Sequence, residues 1–157
     1  MSILQQIAKH FRDVHFGNPW TTVNLKDTLA TINWQEATTN VYNLNTIATL
    51  VFHINYYVEN VLKVLQGEPL TASDKLSFNL TPITSAEDWE KLITKTLTEA
   101  EQFAVEIEKL DEAKLFEDFT DPKYGNYYRN LHGIIEHTHY HLGQIILIQK
   151  IIKESKI

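Results

Sequence analysis

Residues 127–153, YYRNLHGIIEHTHYHLGQIILIQKIIK, carry the pattern from which the architecture of this protein is inferred. Isoleucine and leucine recur at three- and four-residue spacing along the segment, and this periodicity predicts one long helix from about Tyr127 to Lys153. The same segment holds four of the chain's seven histidines, three of them inside the pentapeptide HTHYH. The segment therefore raises two questions: which helices pack around it, and what its histidines do.

The rest of the chain shows the same helical periodicity, interrupted by loops. It predicts further long helices over residues 2–16, from about 34 or 38 to 66, and from about 85 to 110. Asn24 is the expected N-cap of a short helix in the connector between the first two.

Two long loops, residues 68–84 and 116–126, separate the later helices. Their length indicates at least one crossover connection, or loops that shape the mouth of a site. Because no segment shows a convincing strand pattern, the sequence predicts an all-α four-helix bundle with a short connector helix. We expect a single domain over residues 1–157.

The composition limits the classes of function that this protein can have. With 43% hydrophobic and 22% charged residues, the sequence is typical of a globular protein. The net charge is −6 and no face concentrates Lys and Arg, which disfavours nucleic-acid binding. No apolar run approaches the roughly 18 residues of a membrane span. The absence of cysteine excludes disulfides and thiolate metal ligands, and the N-terminus lacks the pattern of an export signal, so we expect a cytoplasmic protein.

The histidines of the last helix separate into two pairs when residues are placed at intervals of about 100°. His141 and Gln144 then lie within about 40° of His137, in the middle of the isoleucine stripe that we expect to face the core. His132 and His139 lie on the opposite side of the helix. A pair with the spacing of His137 and His141 places two imidazoles close enough to share one metal ion.

A third inward-facing histidine is expected in the second long helix, where His53 lies in the middle of residues 45–65, NTIATLVFHINYYVENVLKVL. Two buried imidazoles from one helix and one from another make a three-histidine site with open coordination positions. That arrangement is typical of catalytic rather than structural metal centres. The alternative is that these histidines are core residues that hydrogen-bond to neighbouring polar groups.

Three polar residues lie close to this candidate site. Tyr57 and Asn60 share the face of His53, and Gln144 is one turn beyond His141. We expect them either to contact the metal ligands or the substrate, or to pack in the core. The expected cofactor is a divalent metal ion, Zn, Ni or Fe, because imidazole ligands suit all three.

Two other metal motifs are excluded by the residues around the histidines. Glu136-x-x-His139 has the spacing of a di-iron bundle motif, but the sequence holds no second copy of it. HTHYH carries Thr138 where a zincin motif has its general-base glutamate.

These residues together resemble a known family. An inward histidine in the second long helix, followed by H-x₃-H-x₂-Q in HTHYHLGQI, is similar to the DinB-like superfamily of metal-dependent hydrolases. The segment PWTTVNLKDTL after the first helix and the whole of the last helix are similar as well, so the resemblance covers most of the chain. The sequence departs from a common family form, HELYHRGQ, at Thr138 and Leu142, where that form has Glu and Arg.

The resemblance implies a four-helix bundle in a down-up-up-down arrangement with one long crossover, often as a dimer. It also implies that His53, His137 and His141 bind a divalent metal ion. Relatives include thiol-dependent transferases and a maleylpyruvate isomerase that uses low-molecular-weight thiols. A small-molecule substrate is therefore expected, with low-molecular-weight thiols among the candidates.

Two hypotheses for the function follow from the residues and the resemblance. In the first, the protein is a metal-dependent enzyme, a hydrolase or a thiol-dependent transferase, in which the ion activates water or a thiol. In the second, it is a non-catalytic bundle that binds metal or a partner.

The side of the last helix that carries His132 and His139 also carries Ile135, Leu142 and Ile146, which makes it unusually apolar for a solvent-facing surface. Either the connector helix or the loop of residues 111–126 covers this side within the chain, or a second copy covers it in a two-fold homodimer.

Overall fold

Six α-helices and three short 3-10 helices make up the computed structural model, which describes residues 1–155. The α-helices are α1 (Ile3–Phe16), α2 (Leu25–Leu29), α3 (Trp34–Thr38), α4 (Ile47–Leu65), α5 (Ala86–Lys109) and α6 (Tyr127–Glu154). The 3-10 helices are Asp74–Leu76, Glu112–Phe116 and Pro122–Tyr124. No strand is present in this range, and no helix in it is both long and apolar enough to cross a membrane. The all-α prediction is confirmed.

Side-chain caps determine where the helices begin. Each of the six α-helices follows a Ser, Thr or Asn whose side chain accepts a hydrogen bond from the backbone N–H three residues later. These caps are Ser2, Asn24, Asn33, Thr46, Ser85 and Asn126.

The prediction that the second long helix begins at residue 34 or 38 is wrong. Residues 34–38 form the separate helix α3, and α4 begins only at Ile47. The hydroxyls of Thr38 and Thr39 bond back to carbonyls within α3, and Tyr42 adopts a left-handed conformation with φ of 50°. The helix therefore ends before the polar segment that leads to Thr46, and the connector holds two short helices instead of one.

The long helices run down, up, up and down in chain order. Helices α4 and α5 are parallel, since their N-terminal halves share one apolar cluster and their C-terminal halves share another. The N-terminal half of α6 packs in the second of these clusters, so α6 is antiparallel to both. Phe11 packs on Phe103, and the backbone N–H of Ile3 donates to the carboxylate of Glu112, just beyond the end of α5. Helix α1 is therefore antiparallel to α5. The parallel pair requires a crossover, residues 66–85, that returns along α4 to the start of α5.

A layer of polar residues divides the core in two. In α4 the apolar clusters stop at Ile54 and resume at Val58, and comparable gaps occur in α5 and α6. Buried polar side chains fill these gaps, namely His53, Asn55, Thr96, Thr138 and His141. The two threonine hydroxyls are satisfied by carbonyls of their own helices. The imidazoles therefore lie where the four-helix core is not purely hydrophobic.

The expected orientation of α6 is wrong by about a quarter turn. Its buried residues centre roughly 90° from His137, so that His137 is only half-buried at the edge of the buried face. Ile135 and Leu142, expected on the opposite side, are 2% and 1% exposed.

The apolar side of α6 is covered within the chain. Ile135 belongs to a cluster that includes residues of α1, and Leu142 to a cluster that includes Leu25 and Leu29 of α2. The connector helix thus contributes to this cover, together with α1. The homodimer stays a prediction, but this surface no longer supports it.

Candidate metal centre

Three imidazoles converge between α4 and α6. The Nε2 atoms of His53 and His137 lie 3.1 Å apart, and one ring nitrogen from each of His53, His137 and His141 lies within 4.8 Å of the others. The ligands of a tetrahedral ion with bonds of about 2.0–2.1 Å are separated by about 3.3 Å. Within residues 1–155 no other group of three His, Asp or Glu side chains converges in this way.

A backbone carbonyl orients the His53 ring. Its Nδ1 lies 3.1 Å from the carbonyl oxygen of Ser77 in the crossover. Because a carbonyl can only accept, Nδ1 carries the hydrogen and Nε2 presents a lone pair toward the other two histidines. Outer hydrogen bonds of this kind are typical of imidazoles that bind metal ions.

The His141 ring is oriented by its own helix. Its Nδ1 lies 2.7 Å from Oε1 of Gln144, one turn further along α6. The Nδ1 hydrogen is donated to this oxygen, so the lone pair of Nε2 is the one that can bind a metal ion. His137 differs, because its Nδ1 is buried without a hydrogen-bond partner among the described residues. The His137 Nε2 lies 3.1 Å from the Nε2 of His53. A hydrogen on His137 Nε2 joins the two nitrogens in a hydrogen bond, and a cation bound between the rings would take its place. The donor set therefore fits a divalent ion such as Zn, Ni or Fe.

Burial lowers the pKa of all three imidazoles. For His137, burial and then repulsion from His141 and His53 lower the pKa to about 4. Burial also lowers the pKa of His53 and His141, against the opposing effects of the Ser77 carbonyl and the Gln144 side chain. All three rings are therefore neutral at pH 7, the form in which imidazole binds a metal ion.

Aromatic rings pack around the histidines. Phe78 of the crossover stacks on His53 with centroids 3.8 Å apart and planes inclined by 11°. Tyr57 contacts both His53 and His137 edge to face, at 5.2 and 4.8 Å. These contacts hold the rings in place and exclude water from that side of the site.

The crossover is attached to α4 at successive positions along one face. Tyr56 donates from its hydroxyl to the carbonyl of Ser73 and accepts from the Ser73 N–H. The Tyr57 hydroxyl donates to Asp74 at 2.9 Å. With the bond from His53 to Ser77, these contacts align the loop beside the candidate ligands.

A cavity of about 860 Å³ opens beside the histidines. It lies between the C-terminal half of α4 and the N-terminal half of α6, and Tyr57 and His137 form part of its wall. The other polar lining residues are Asn60, Asp74, Tyr124, Tyr128, Arg129, Asn130, His132 and Glu136. His53 and His141 lie outside the wall, so the cavity approaches the three-histidine group from the His137 side.

The three additional residues that the sequence associates with the site make different contacts in the structure. Tyr57 touches two of the histidines and Gln144 bonds to the third. Asn60 forms no hydrogen bond with any of the three histidines within residues 1–155. Its amide donates to the carbonyl of Tyr56, and the residue lines the cavity one turn beyond Tyr57.

Two positions of the family form are not part of the site. Thr138 and Leu142 are 0% and 1% exposed and pack inside the bundle. Sequence reasoning also missed Ser77 and Phe78, because the crossover has no periodicity from which a facing could be inferred. The one available signal was a large aromatic residue, Phe78, in an otherwise Thr- and Ser-rich loop.

Comparison with known proteins identifies the family of this chain. A family model described as the DinB superfamily matches residues 20–145. No curated protein and no solved structure matches the chain significantly. The matched region includes α2 to α5, the three converging histidines and most of the cavity wall. The chain therefore belongs to the DinB superfamily.

Proposed function

We propose that this protein is a metal-dependent enzyme acting on a small molecule, either as a hydrolase or as a thiol-dependent transferase. The observation that carries the proposal is the convergence of His53, His137 and His141, with the Nδ1 hydrogens of His53 and His141 bonded to Ser77 and Gln144, beside a cavity of about 860 Å³. A cavity of this size is typical of small-molecule sites.

Two hydrogen bonds keep His53 and His141 in the tautomer that can bind a metal ion through Nε2. The Ser77 carbonyl and the Gln144 amide fix the hydrogens of His53 and His141 on Nδ1, so that no proton has to leave before these rings bind an ion. A divalent ion held by three neutral imidazoles supplies Lewis acidity, which makes a coordinated water or thiol more acidic. Phe78 keeps solvent from the outer face of His53.

Tyr57 places a hydroxyl group in the cavity wall beside the histidines. Burial, followed by the hydrogen bond to Asp74, raises the pKa of Tyr57, so its hydroxyl stays protonated at neutral pH. Its ring packs against His53 and His137, which keeps this hydroxyl near the end of the cavity that adjoins the histidines. We assign to Tyr57 the role of orienting the substrate by accepting a hydrogen bond at its hydroxyl oxygen, because its one O–H hydrogen is donated to Asp74.

Metal content and turnover test the proposal. The purified protein should contain close to one divalent ion per chain, and the loaded protein should turn over at least one member of a panel of esters, amides and thiol acceptors. Metal-free protein and His137→Ala should be inactive. His139→Ala serves as the control, since it removes one imidazole from the same helix outside both the three-histidine group and the cavity wall. Equal activity of the loaded and metal-free proteins would refute the proposal.

A second candidate function is a non-catalytic metal-binding bundle. It is favoured by Thr138, which occupies the position of the glutamate in the common family form and bonds to the carbonyl of Ile134 inside the helix. This reading predicts full metal binding with no turnover across the panel.

A further inference from the structure

The two arginines of the chain have opposite surroundings. Arg12 is bound by both Glu101 and Glu108 at 2.5–3.2 Å. Arg129 forms no ion pair or side-chain hydrogen bond within residues 1–155, and it lines the cavity beside the three histidines. No lysine lines that cavity. An unpaired guanidinium is thus the only permanently positive group in the described wall.

The loop before α6 determines the position of this guanidinium. Gly125 has a φ of 76°, and a Cβ atom at this glycine would lie 2.9 Å from Cδ of Arg129. The aliphatic part of the arginine therefore lies across a residue without a side chain. Asn130 fixes the same loop by donating from its amide to the carbonyls of Tyr124 and Asn126.

The distance between Arg129 and the histidines defines the length of molecule that spans the cavity. Arg129 precedes His137 by eight residues in α6, which is about 12 Å along the helix axis. Tyr128 and Tyr124 line the cavity at the arginine end.

Negative groups occupy the part of the cavity nearer to the histidines. Asp74 accepts the hydroxyl of Tyr57, and Glu136 lies next to His137 in sequence and is exposed. A divalent ion on the histidines would be offset by these two carboxylates, whereas no carboxylate pairs with Arg129 within residues 1–155. A carboxylate remote from the reacting group therefore meets an uncompensated positive charge at the Arg129 end.

We propose that the substrate of this site is an extended molecule with a carboxylate remote from its reacting group, and that Arg129 binds this carboxylate. The guanidinium presents two parallel N–H donors that match the two oxygens of a carboxylate. The inference rests on the proposed function, because it takes the three-histidine group as the place where the reacting end of the molecule is held.

Thiol probes on cobalt-loaded protein test the inference by a readout other than turnover. Mercapto-octanoate, mercapto-octanol and mercaptoacetate are titrated while the thiolate-to-cobalt absorption band is recorded. Mercapto-octanoate should bind roughly tenfold to a hundredfold more tightly than mercapto-octanol, the range expected for a charged hydrogen-bonded pair. Mercaptoacetate is too short to reach Arg129, so it should not bind more tightly than mercapto-octanol.

Variants of the loop and the arginine make the test specific. Arg129→Gln should abolish the advantage of the carboxylate probe and leave the affinity for mercapto-octanol unchanged. Arg129→Lys should retain part of the advantage, and Gly125→Ala should reduce it, since the new methyl group displaces the arginine. Lys75→Gln is the matched control, because Lys75 is an exposed cation of the crossover outside the cavity wall. Equal binding of the two long thiols to the wild type would overturn the inference.

A metal-independent titration separates this inference from the proposed function. Octanoate, which has no thiol, is titrated by calorimetry into the wild type and Arg129→Gln. Binding that is lost in the variant supports the role of Arg129 even if no thiol produces a cobalt band, an outcome that would count against the thiol chemistry alone. Octanoate binding that is absent, or equal in the two proteins, overturns the assignment of Arg129.

Discussion

The seven histidines form two groups that share α6 yet differ in almost every physical respect. The first group is His53, His137 and His141, and the second, where α1 meets α6, is His10, His15, His132 and His139. In the first group three ring nitrogens lie within 4.8 Å of one another. In the second group the rings of His10 and His139 are 6.2 Å apart, and the group offers no convergent set of three nitrogens.

The difference lies in the supporting contacts. Two rings of the first group have their Nδ1 hydrogens fixed by groups outside the histidines, Ser77 and Gln144, so that their free nitrogens point to one place. In the second group the His15 ring is also held by a hydrogen bond, from its Nδ1 to the carbonyl of Phe11. Its Nε2, however, is buried in the core without a hydrogen-bond partner among the described residues. A high density of histidine therefore does not by itself bring ring nitrogens together, whereas hydrogen bonds that orient the rings do.

The largest expected effect is the loss of metal binding when the first group loses a member. His137→Ala should abolish metal binding, because two remaining imidazoles leave an ion without its third protein ligand. Helical content should stay essentially unchanged, since His137 lies at the edge of the buried face. Competition with a chromophoric chelator and circular dichroism measure the two quantities. The control His139→Ala should bind metal like the wild type, and a comparable loss in that control would erase the distinction between the groups.

The second group should contribute to acid sensitivity through His15, in addition to the contribution of the half-buried His137. Burial lowers the pKa of His15 to about 4, against about 6.5 for an unfolded chain. Below pH 6.5 the unfolded chain binds a proton that the folded chain rejects, so stability present above pH 6.5 is lost as the pH falls toward 4. The loss is roughly 3 kcal/mol in the free energy of unfolding.

Urea unfolding of the metal-free protein at pH 7 and pH 4.5 measures this loss. His15→Leu should flatten the pH dependence by most of that amount, while His10→Ala, a substitution at an exposed position of the same helix, should leave it unchanged. An equally steep pH dependence in His15→Leu would show that the acid sensitivity originates elsewhere.

The third effect concerns the support of the first group. Gln144→Leu removes the acceptor that fixes the His141 ring, and metal affinity should fall about 10- to 100-fold. Gln149→Leu is the matched control on the same helix, because its amide bonds to Thr31 away from the histidines. That variant should lower stability without changing metal affinity. Similar affinities in both variants would mean that ring orientation is set by packing alone.

The smallest effect should come from the crossover tether at Tyr57. Tyr57→Phe keeps the ring contacts with His53 and His137 but removes the hydrogen bond to Asp74, so unfolding should become easier by about 1 kcal/mol. Metal affinity should be nearly unchanged. Tyr56→Phe, which loses two bonds to Ser73, should cost more stability. If Tyr57→Phe weakened metal binding as much as Gln144→Leu, the hydroxyl tether would have to be counted among the supports of the first group.

The sequence predicted the elements that carry their own periodicity. The limits of α1, α5 and α6 follow from apolar spacing and from caps such as Ser85, and the spacing of His137 and His141 implies that these two rings share a face. The placement of His53 in mid-helix made it the natural third member.

The errors have physical causes. The isoleucine stripe of α6 is wide enough to fit several orientations of the helix. The prediction places His137 at the centre of the buried face, whereas packing against α1 and α2 centres that face near Thr138. Local hydroxyl bonds at Thr38 and Thr39 ended α3 where apolar periodicity alone continued the helix. The contacts of Ser77 and Phe78 with His53 depend on the path of an aperiodic loop, and residue spacing does not predict that path.

The acceptor for His53 is a peptide carbonyl, and this has a consequence for how the site can change. Every amino acid at position 77 offers the same carbonyl, so no replacement of the Ser77 side chain removes this acceptor directly. What can remove it is a change in the number of residues between the end of α4 and position 77, because an insertion or deletion there shifts which carbonyl faces the imidazole. Among relatives, the side chain at position 77 should therefore be free to vary, whereas the length of the segment before it should be constrained.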